Sequence, residues 1–305
     1  MFSRSTRREL LRATSSLGAL TLASRVGFSA SEGPSAEFFE ISLAQWSNHR
    51  TLRAGQTNLE WISAVREKYD IGAVEFVNQF FADKACDWDY LSQMKLRASD
   101  AGVRMLLIMI DGEGALAAED KSEREAAIEK HRKWIVAAGY LGCHSIRVNA
   151  AGSGDEDEMA KRAADSLTQL ARFGEQYKIN VIVENHGGLS SSGAWLASVM
   201  RLADHPGVGT LPDFGNFRVS RDVMYDRYLG VKELMPYAKA VSAKSHDFDK
   251  LGNETNTDYN RMLRIVKDSG YTGFIGVEYE GSNHSEDDGI RLTRDLLIRT
   301  REELS

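Results

Sequence analysis

Cysteine is nearly missing from this chain of 305 residues: Cys86 and Cys143 are the only two. Their wide spacing excludes a disulfide framework and a cysteine-rich metal cluster, and they read as two buried free thiols rather than one disulfide. Proline is scarce as well, with four residues against 26 glycines. No apolar run is long enough to cross a bilayer as a helix; the stretch from Leu17 to Ala23 is far too short, which excludes stable membrane insertion. Positive charge is also in deficit. The formal net charge is −6, and the first 30 residues carry five Arg against one Glu, leaving −10 on the remainder. A body of that charge is a poor binder of nucleic acid, which is held largely through release of phosphate counterions. Neutral or cationic small molecules suit it better, as do anions gripped locally by a few Arg and Lys. No internal repeat and no second domain is visible.

What is present is ordinary globular material, 42% apolar and 27% charged, enough for one large domain or two small ones. At the N-terminus, Ser5-Thr6-Arg7-Arg8-Glu9-Leu10-Leu11 resembles a twin-arginine export signal followed by the short apolar run. Residues 1–30 are therefore read as that signal, the alternative being a basic disordered tail, and the protein as exported to the periplasm. A Gly/Pro/Ser linker over Ser31–Ser35 separates it from the main domain, residues 36–305.

Within that domain, apolar strand-like runs alternate with helical patterns. The strands are read at Phe38–Ala44, Ala73–Asn78, Arg104–Ile110, Ser145–Asn149, Val181–Glu184, Gly207–Leu211, Ala240–Lys244 and Phe274–Val277. Helical patterns cover Leu59–Lys68, Trp88–Ala101, Ala118–Tyr140, Asp155–Tyr177, Asp222–Tyr237, Asp258–Ser269 and Glu286–Glu302. The acidic run Asp155-Glu156-Asp157-Glu158 fits a solvated helix start, where the helix dipole favours negative charge. Repeated strand–helix units of this length argue for a parallel sheet with crossover helices. Eight strands so connected make a closed (β/α)8 TIM barrel, an α/β fold in a single domain.

The stretch Asn180–Gly188, Asn-Val-Ile-Val-Glu-Asn-His-Gly-Gly, shows where chemistry would sit. A short apolar strand ends on a carboxylate, an amide and an imidazole for which there is no packing reason, at the end where such folds bind ligands. Glu184, Asp213, His246 and Glu278 each lie at the end of a successive strand, separated by 29, 33 and 32 residues. A barrel brings such strand ends side by side around one mouth. Three carboxylates there would repel and resist ionisation. One divalent metal ion removes the difficulty, and oxygen-rich ligation with one imidazole suits Mn²⁺, Mg²⁺, Co²⁺ or Zn²⁺. Any one of the four residues alone is more often a salt-bridge partner than a ligand; it is their recurrence that argues for the site.

The motifs Val-Glu-Asn-His-Gly-Gly at 183–188, Asp-Phe-Gly-Asn at 213–216, Ala-Lys-Ser-His-Asp-Phe-Asp at 243–249 and Gly-Tyr-Thr-Gly-Phe-Ile-Gly-Val-Glu-Tyr-Glu-Gly at 270–281 resemble the xylose isomerase-like TIM-barrel superfamily. That group holds sugar isomerases, sugar-phosphate epimerases, inosose dehydratases and AP endonucleases. The resemblance implies a divalent metal at the barrel mouth held by Glu, Asp, His and Glu, with the two glutamates also moving the proton. Glu184, Asp213 and Glu278 match residue by residue. Two positions depart from the pattern. Where the family often has Asp-x-x-His after the sixth strand, this chain has Asn216; where it often has His-x-Lys on the seventh, this chain has Ser242 and keeps Lys244. Period-two alternation puts Ser242, Lys244 and His246 on one face, so His246 is read as the imidazole ligand, with a substrate contact as its other role.

Further candidates for binding substrate are Glu75, Arg147, His186, Asn216 and Lys244. Glu75, read at the end of strand two, either holds a substrate hydroxyl or pairs with a base. Arg147 and Asn149 face one side of strand four, where an Arg suits a carboxylate, phosphate or oxyanion. His186 contacts substrate or a loop carbonyl, and Lys244 reads as an electrostatic partner rather than a Schiff-base nucleophile. Trp46 either stacks on a sugar face or packs at the rim. The other five histidines show no partner pattern.

Together these features point to a metal-dependent isomerase or epimerase acting on a sugar or cyclitol. Glu184 and Glu278 serve as acid and base at the carbon next to a carbonyl. The alternatives are a keto-sugar lyase or dehydratase on the same scaffold, and a non-catalytic sugar-binding barrel that has lost its chemistry. AP endonuclease activity is disfavoured by the acidic chain and the few His.

Overall fold

The structure, a computed structural model, describes residues 38–305. The export signal expected over residues 1–30 lies outside them. Eight parallel strands run β1 (Glu40–Ala44), β2 (Ala73–Val77), β3 (Arg104–Met109), β4 (Ser145–Val148), β5 (Asn180–Glu184), β6 (Val208–Leu211), β7 (Val241–Ser245) and β8 (Phe274–Tyr279). They form one sheet in the order β6-β5-β4-β3-β2-β1-β8-β7. The sheet closes on itself where β6 meets β7. There Thr210 bridges Ala238 and Asp213 bridges Ser242, both in parallel, and Ser242 N donates to Pro212 O at 2.9 Å.

Around the strands pack α2 (Asn58–Tyr69), α3 (Trp88–Asp100), α4 (Lys121–Leu141), α5 (Glu156–Gly174), α6 (Gly193–Ala203), α7 (Arg227–Leu234), α8 (Tyr259–Asp268) and α9 (Glu286–Leu304); a five-residue α1 (His49–Arg53) lies in the first connection. The start of each of the eight longer helices has a local cause. Thr57, Asp87, Asp120, Asp155, Ser192, Asp226, Asp258 and Ser285 precede them, and each side chain accepts a hydrogen bond from a first-turn backbone N–H. Thr57 and Glu60 complete a reciprocal capping box. Asp155 thus caps α5, as a solvated acidic start requires. Helix α6 is the one of these eight that the sequence analysis leaves unassigned.

Two apolar layers follow from the pleat. Outward-facing residues such as Val181, Val183, Val241 and Ala243 join the shell between strands and helices. Ala44, Val77, Leu107, Met109, Ile182, Leu211 and Ala240 fill the barrel interior. Both cysteines are free; Cys143 is buried as expected, but Cys86 is exposed, since it sits in the turn before α3. No helix among the described residues is long and apolar enough to cross a membrane.

Candidate active site

The C-terminal mouth of the barrel gathers the charged residues. Glu184 closes β5, Asp213 lies two residues past β6, and Glu278 is the penultimate residue of β8. All three are buried, and one oxygen from each lies within 4.8 Å of the others. The seam of the barrel sets this meeting: Asp213 is bridged to Ser242, whose Oγ stands 2.7 Å from both Asp213 Oδ2 and Glu278 Oε2. The second Asp213 oxygen, Oδ1, accepts from the backbone N–H groups of Gly215 (2.8 Å) and Asn216 (2.7 Å), which fixes the carboxylate in a tight turn.

Two buried cations stand beside the trio. Arg147 Nε lies 2.9 Å from Glu184 Oε2, as an ion pair without hydrogen-bond geometry, while its Nη1 donates to Asp111 Oδ1 at 2.8 Å. Lys244 Nζ is 3.1 Å from Glu278 Oε1 and 3.2 Å from Glu280 Oε2. Asn216 Nδ2 donates to Glu184 Oε1 at 2.9 Å. Arg147 and Lys244, on β4 and β7, and Asn216, in the turn after β6, are thus brought to the carboxylates.

The other expectations fare differently. His246 does not join the group, because β7 ends at Ser245 and the imidazole turns to the rim, its Nε2 3.9 Å from Glu280 Oε2 and its side chain 42% exposed. Ser242 holds the place beside the carboxylates instead. His186 is exposed in the turn after β5. Its neighbour Asn185 does have a packing reason: its Oδ1 accepts from Asp213 N at 2.7 Å, and its Nδ2 donates to the Asp213 and Asn216 carbonyls at 3.0 and 3.1 Å. The amide ties the β5 turn to the β6 turn. Glu75 lies mid-strand and fully buried, not at a strand end. Ser42 Oγ donates to its Oε1 at 2.6 Å, its Oε2 has no hydrogen-bond partner, and its carboxylate fills the space left by Gly276. Gly276 is two residues before Glu278 on the same face, so Glu75 sits one layer below the trio.

Two site residues escaped the sequence reading. Asp111, just past β3, receives Arg147 and also Asn149 Nδ2 at 2.8 Å. Glu280 receives Lys244 and the Trp46 indole N–H. The strand-end rule that found Glu184 would have found Asp111, and the period-two rule that joins 242 to 244 joins 278 to 280.

Burial sets the electrostatics, and neighbours divide it. Burial pushes Glu184 up to about 7, with Arg147 opposing and Glu278 adding. It pushes Asp213 up to about 7, against Lys244. Burial also acts on Glu278, but Lys244, Ser242 and Arg147 outweigh it and hold that carboxyl below its usual value. Asp111 is likewise drawn down to about 2, burial being overcome by Arg147. Lys244 stays charged, since the surrounding carboxylates outweigh its desolvation.

This donor set fits a divalent cation. Five carboxylates (Asp111, Glu184, Asp213, Glu278 and Glu280) share two buried basic groups, Arg147 and Lys244. Glu184 Oε2 keeps its lone pairs free of hydrogen bonds. Glu184, Asp213 and Glu278 can therefore hold a metal through oxygen.

The chain belongs to the xylose isomerase-like TIM barrel family, whose model matches residues 64–300. No curated protein matches the sequence. Among solved structures, a xylose isomerase-like TIM barrel protein from Mycobacterium smegmatis in complex with magnesium is similar at TM-score 0.67 and 16% identity, covering 89% of this chain and 99% of its own. The 3-keto-D-glucoside 4-epimerase of E. coli is similar at TM-score 0.67 and 13% identity, over 86% and 99%. A candidate 3-DHS dehydratase of petrobactin synthesis from Bacillus anthracis follows at TM-score 0.64 and 15% identity, over 85% and 99%. At such identities the likeness is one of fold.

Proposed function

We propose that this protein is a metal-dependent isomerase or epimerase that moves a proton at the carbon next to a carbonyl in a sugar or cyclitol. The observation that carries this reading is the meeting of two buried glutamates from different strands, β5 and β8, in one cluster at the barrel mouth. Glu184 is pushed up to about 7 while Glu278 is held below its usual value. Two carboxyls on different strands of one mouth can take a proton from a bound carbon and return one to it, which is what an acid–base pair needs. In this reading Glu278 takes the proton from carbon and Glu184 returns one. Lys244 and Arg147 favour the negative charge that develops on the substrate. A divalent cation held by Glu184, Asp213 and Glu278 would polarise the carbonyl oxygen. The neighbours described as epimerases support the class of reaction.

The test is exchange of the hydrogen beside the carbonyl with deuterated water. The protein, loaded in turn with Mg²⁺ and Mn²⁺, is incubated with a panel of ketoses and 3-keto-glycosides and followed by NMR. Exchange with inversion supports epimerisation; exchange with loss of water moves the assignment to dehydration. Glu184→Gln and Glu278→Gln, each first shown to be folded and metal-loaded, should slow exchange by about 10²-fold or more. Undiminished exchange in both variants would overturn the mechanism.

A further inference from the structure

The position beside the acidic trio that lies on β7 holds a hydroxyl. Ser242 is fully buried, and its Oγ lies 2.7 Å from Asp213 Oδ2 and 2.7 Å from Glu278 Oε2, on the two strands that flank β7. A hydroxyl there touches two of the three carboxylates, and its one proton can go to either of them. Among the described residues no imidazole and no thiol joins this group: it consists of Glu184, Asp213 and Glu278. His246 turns away to Glu280, Cys143 belongs to the shell between strands and helices, and Cys86 is exposed.

We propose that this is an all-oxygen, hard-cation site whose metal preference is decided at residue 242, so that it takes Mg²⁺ or Mn²⁺ with little advantage to Zn²⁺. The inference rests on the reading of a cation held by the trio. Carboxylate and hydroxyl oxygens suit magnesium and manganese, whereas zinc draws its usual advantage from imidazole nitrogen or thiolate sulfur. Ser242 withholds both. It still orders the site, because one hydroxyl between Asp213 and Glu278 keeps the β6 and β8 carboxylates at a fixed separation. A substitution that places sulfur at this position therefore changes the donor chemistry while leaving the three carboxylates in place. Cysteine is close to serine in size, which makes it suitable for a fully buried position.

The experiment measures metal binding directly, without substrate, so that it stands apart from the proton-exchange assay. Metal-stripped full-length protein is titrated with Mn²⁺, Mg²⁺ and Zn²⁺ in competition with a chromogenic chelator. Wild type should bind Zn²⁺ no more than about tenfold tighter than Mn²⁺. Ser242→Cys should tighten Zn²⁺ by about 30-fold or more, leave Mn²⁺ within about threefold, and show a thiolate-to-cobalt charge-transfer band when loaded with Co²⁺. Ser242→Ala should weaken Mn²⁺ and Zn²⁺ together and leave their ratio unchanged. A wild-type preference for Zn²⁺ beyond about a hundredfold overturns the proposal while leaving the acid–base reading intact. So does an unchanged Zn²⁺ to Mn²⁺ ratio in Ser242→Cys. Failure of every ion to bind wild type overturns both this proposal and the metal dependence on which it rests.

Discussion

The two arcs of the barrel interior use the same pleat for opposite ends. Along β1 to β3 the inward side chains nearest the mouth are Ala44, Val77 and Met109, with Trp46 and Phe80 packed against them. Along β4 to β8 they are Arg147, Glu184, Ser242, Lys244 and Glu278, with Asp213 just beyond β6. The apolar arc has no chemistry of its own, yet it shapes the other. Dry side chains across the barrel keep water from the carboxylates, and desolvation is the largest influence raising Glu184 and Asp213. The charged arc then spreads these values through its cations. A site with carboxyls near neutrality thus needs both halves.

The comparison is sharpest where one cation is removed. Arg147 is buried between Asp111 and Glu184. Arg147→Met keeps the bulk but leaves two carboxylates without their partner, and should cost about 3–5 kcal/mol of stability at pH 7. Met109→Leu in the apolar arc, a swap of similar volume, should cost less than about 1.5 kcal/mol. Chemical denaturation of both variants tests the contrast. Equal losses would mean that the charged arc is no more demanding than the apolar one.

The same contrast explains how much could be read from sequence. The barrel was legible because all eight strands and every long helix but α6 carry local signals, a short apolar run or a capped amphipathic pattern. Glu184, Asp213 and Glu278 were legible because they interrupt that repeat at the same place. What failed depends on where a strand stops. Glu75 looked like a strand-end residue but lies mid-strand, and His246 looked inward by period two but lies one residue past β7 with its side chain turned to the rim, although the same rule carries past β8 to Glu280. Asn185 shows a further limit, since its role is to tie two turns that are distant in sequence.

Glu75 is the exception that probes the apolar side. It is a carboxyl on β2, buried next to Ser42, and burial pushes it up to about 8. In the unfolded chain the proton leaves above about 4.5, while the folded chain keeps it to about 8. Its contribution to stability is therefore fully present below the lower value and is lost as pH rises through the upper one. Glu75→Gln cannot ionise and should remove that share of the slope, gaining on wild type by roughly 3–4 kcal/mol between pH 5 and pH 8. Urea denaturation at a series of pH values measures it. A constant difference between the two proteins across that range would show that Glu75 is ionised inside the barrel.

The smallest effect lies where the arcs touch. The Trp46 indole N–H donates to Glu280, which also receives Lys244 at 3.2 Å, so a residue of the apolar rim holds the outer carboxylate of the charged one. Trp46 also packs against Phe80, with ring centroids 6.2 Å apart, and this contact survives a change to another aromatic ring. Trp46→Phe should therefore lose little beyond the hydrogen bond, roughly 1 kcal/mol, because Glu280 is partly exposed and keeps its lysine. The single variant does not separate that bond from lost indole packing, but a double-mutant cycle with Glu280→Ala does. A coupling of about 0.5 kcal/mol or more between the two positions would show that the rim joins the arcs. Additive losses would mean that Glu280 is held by the charged arc alone and that Trp46 contributes only apolar surface.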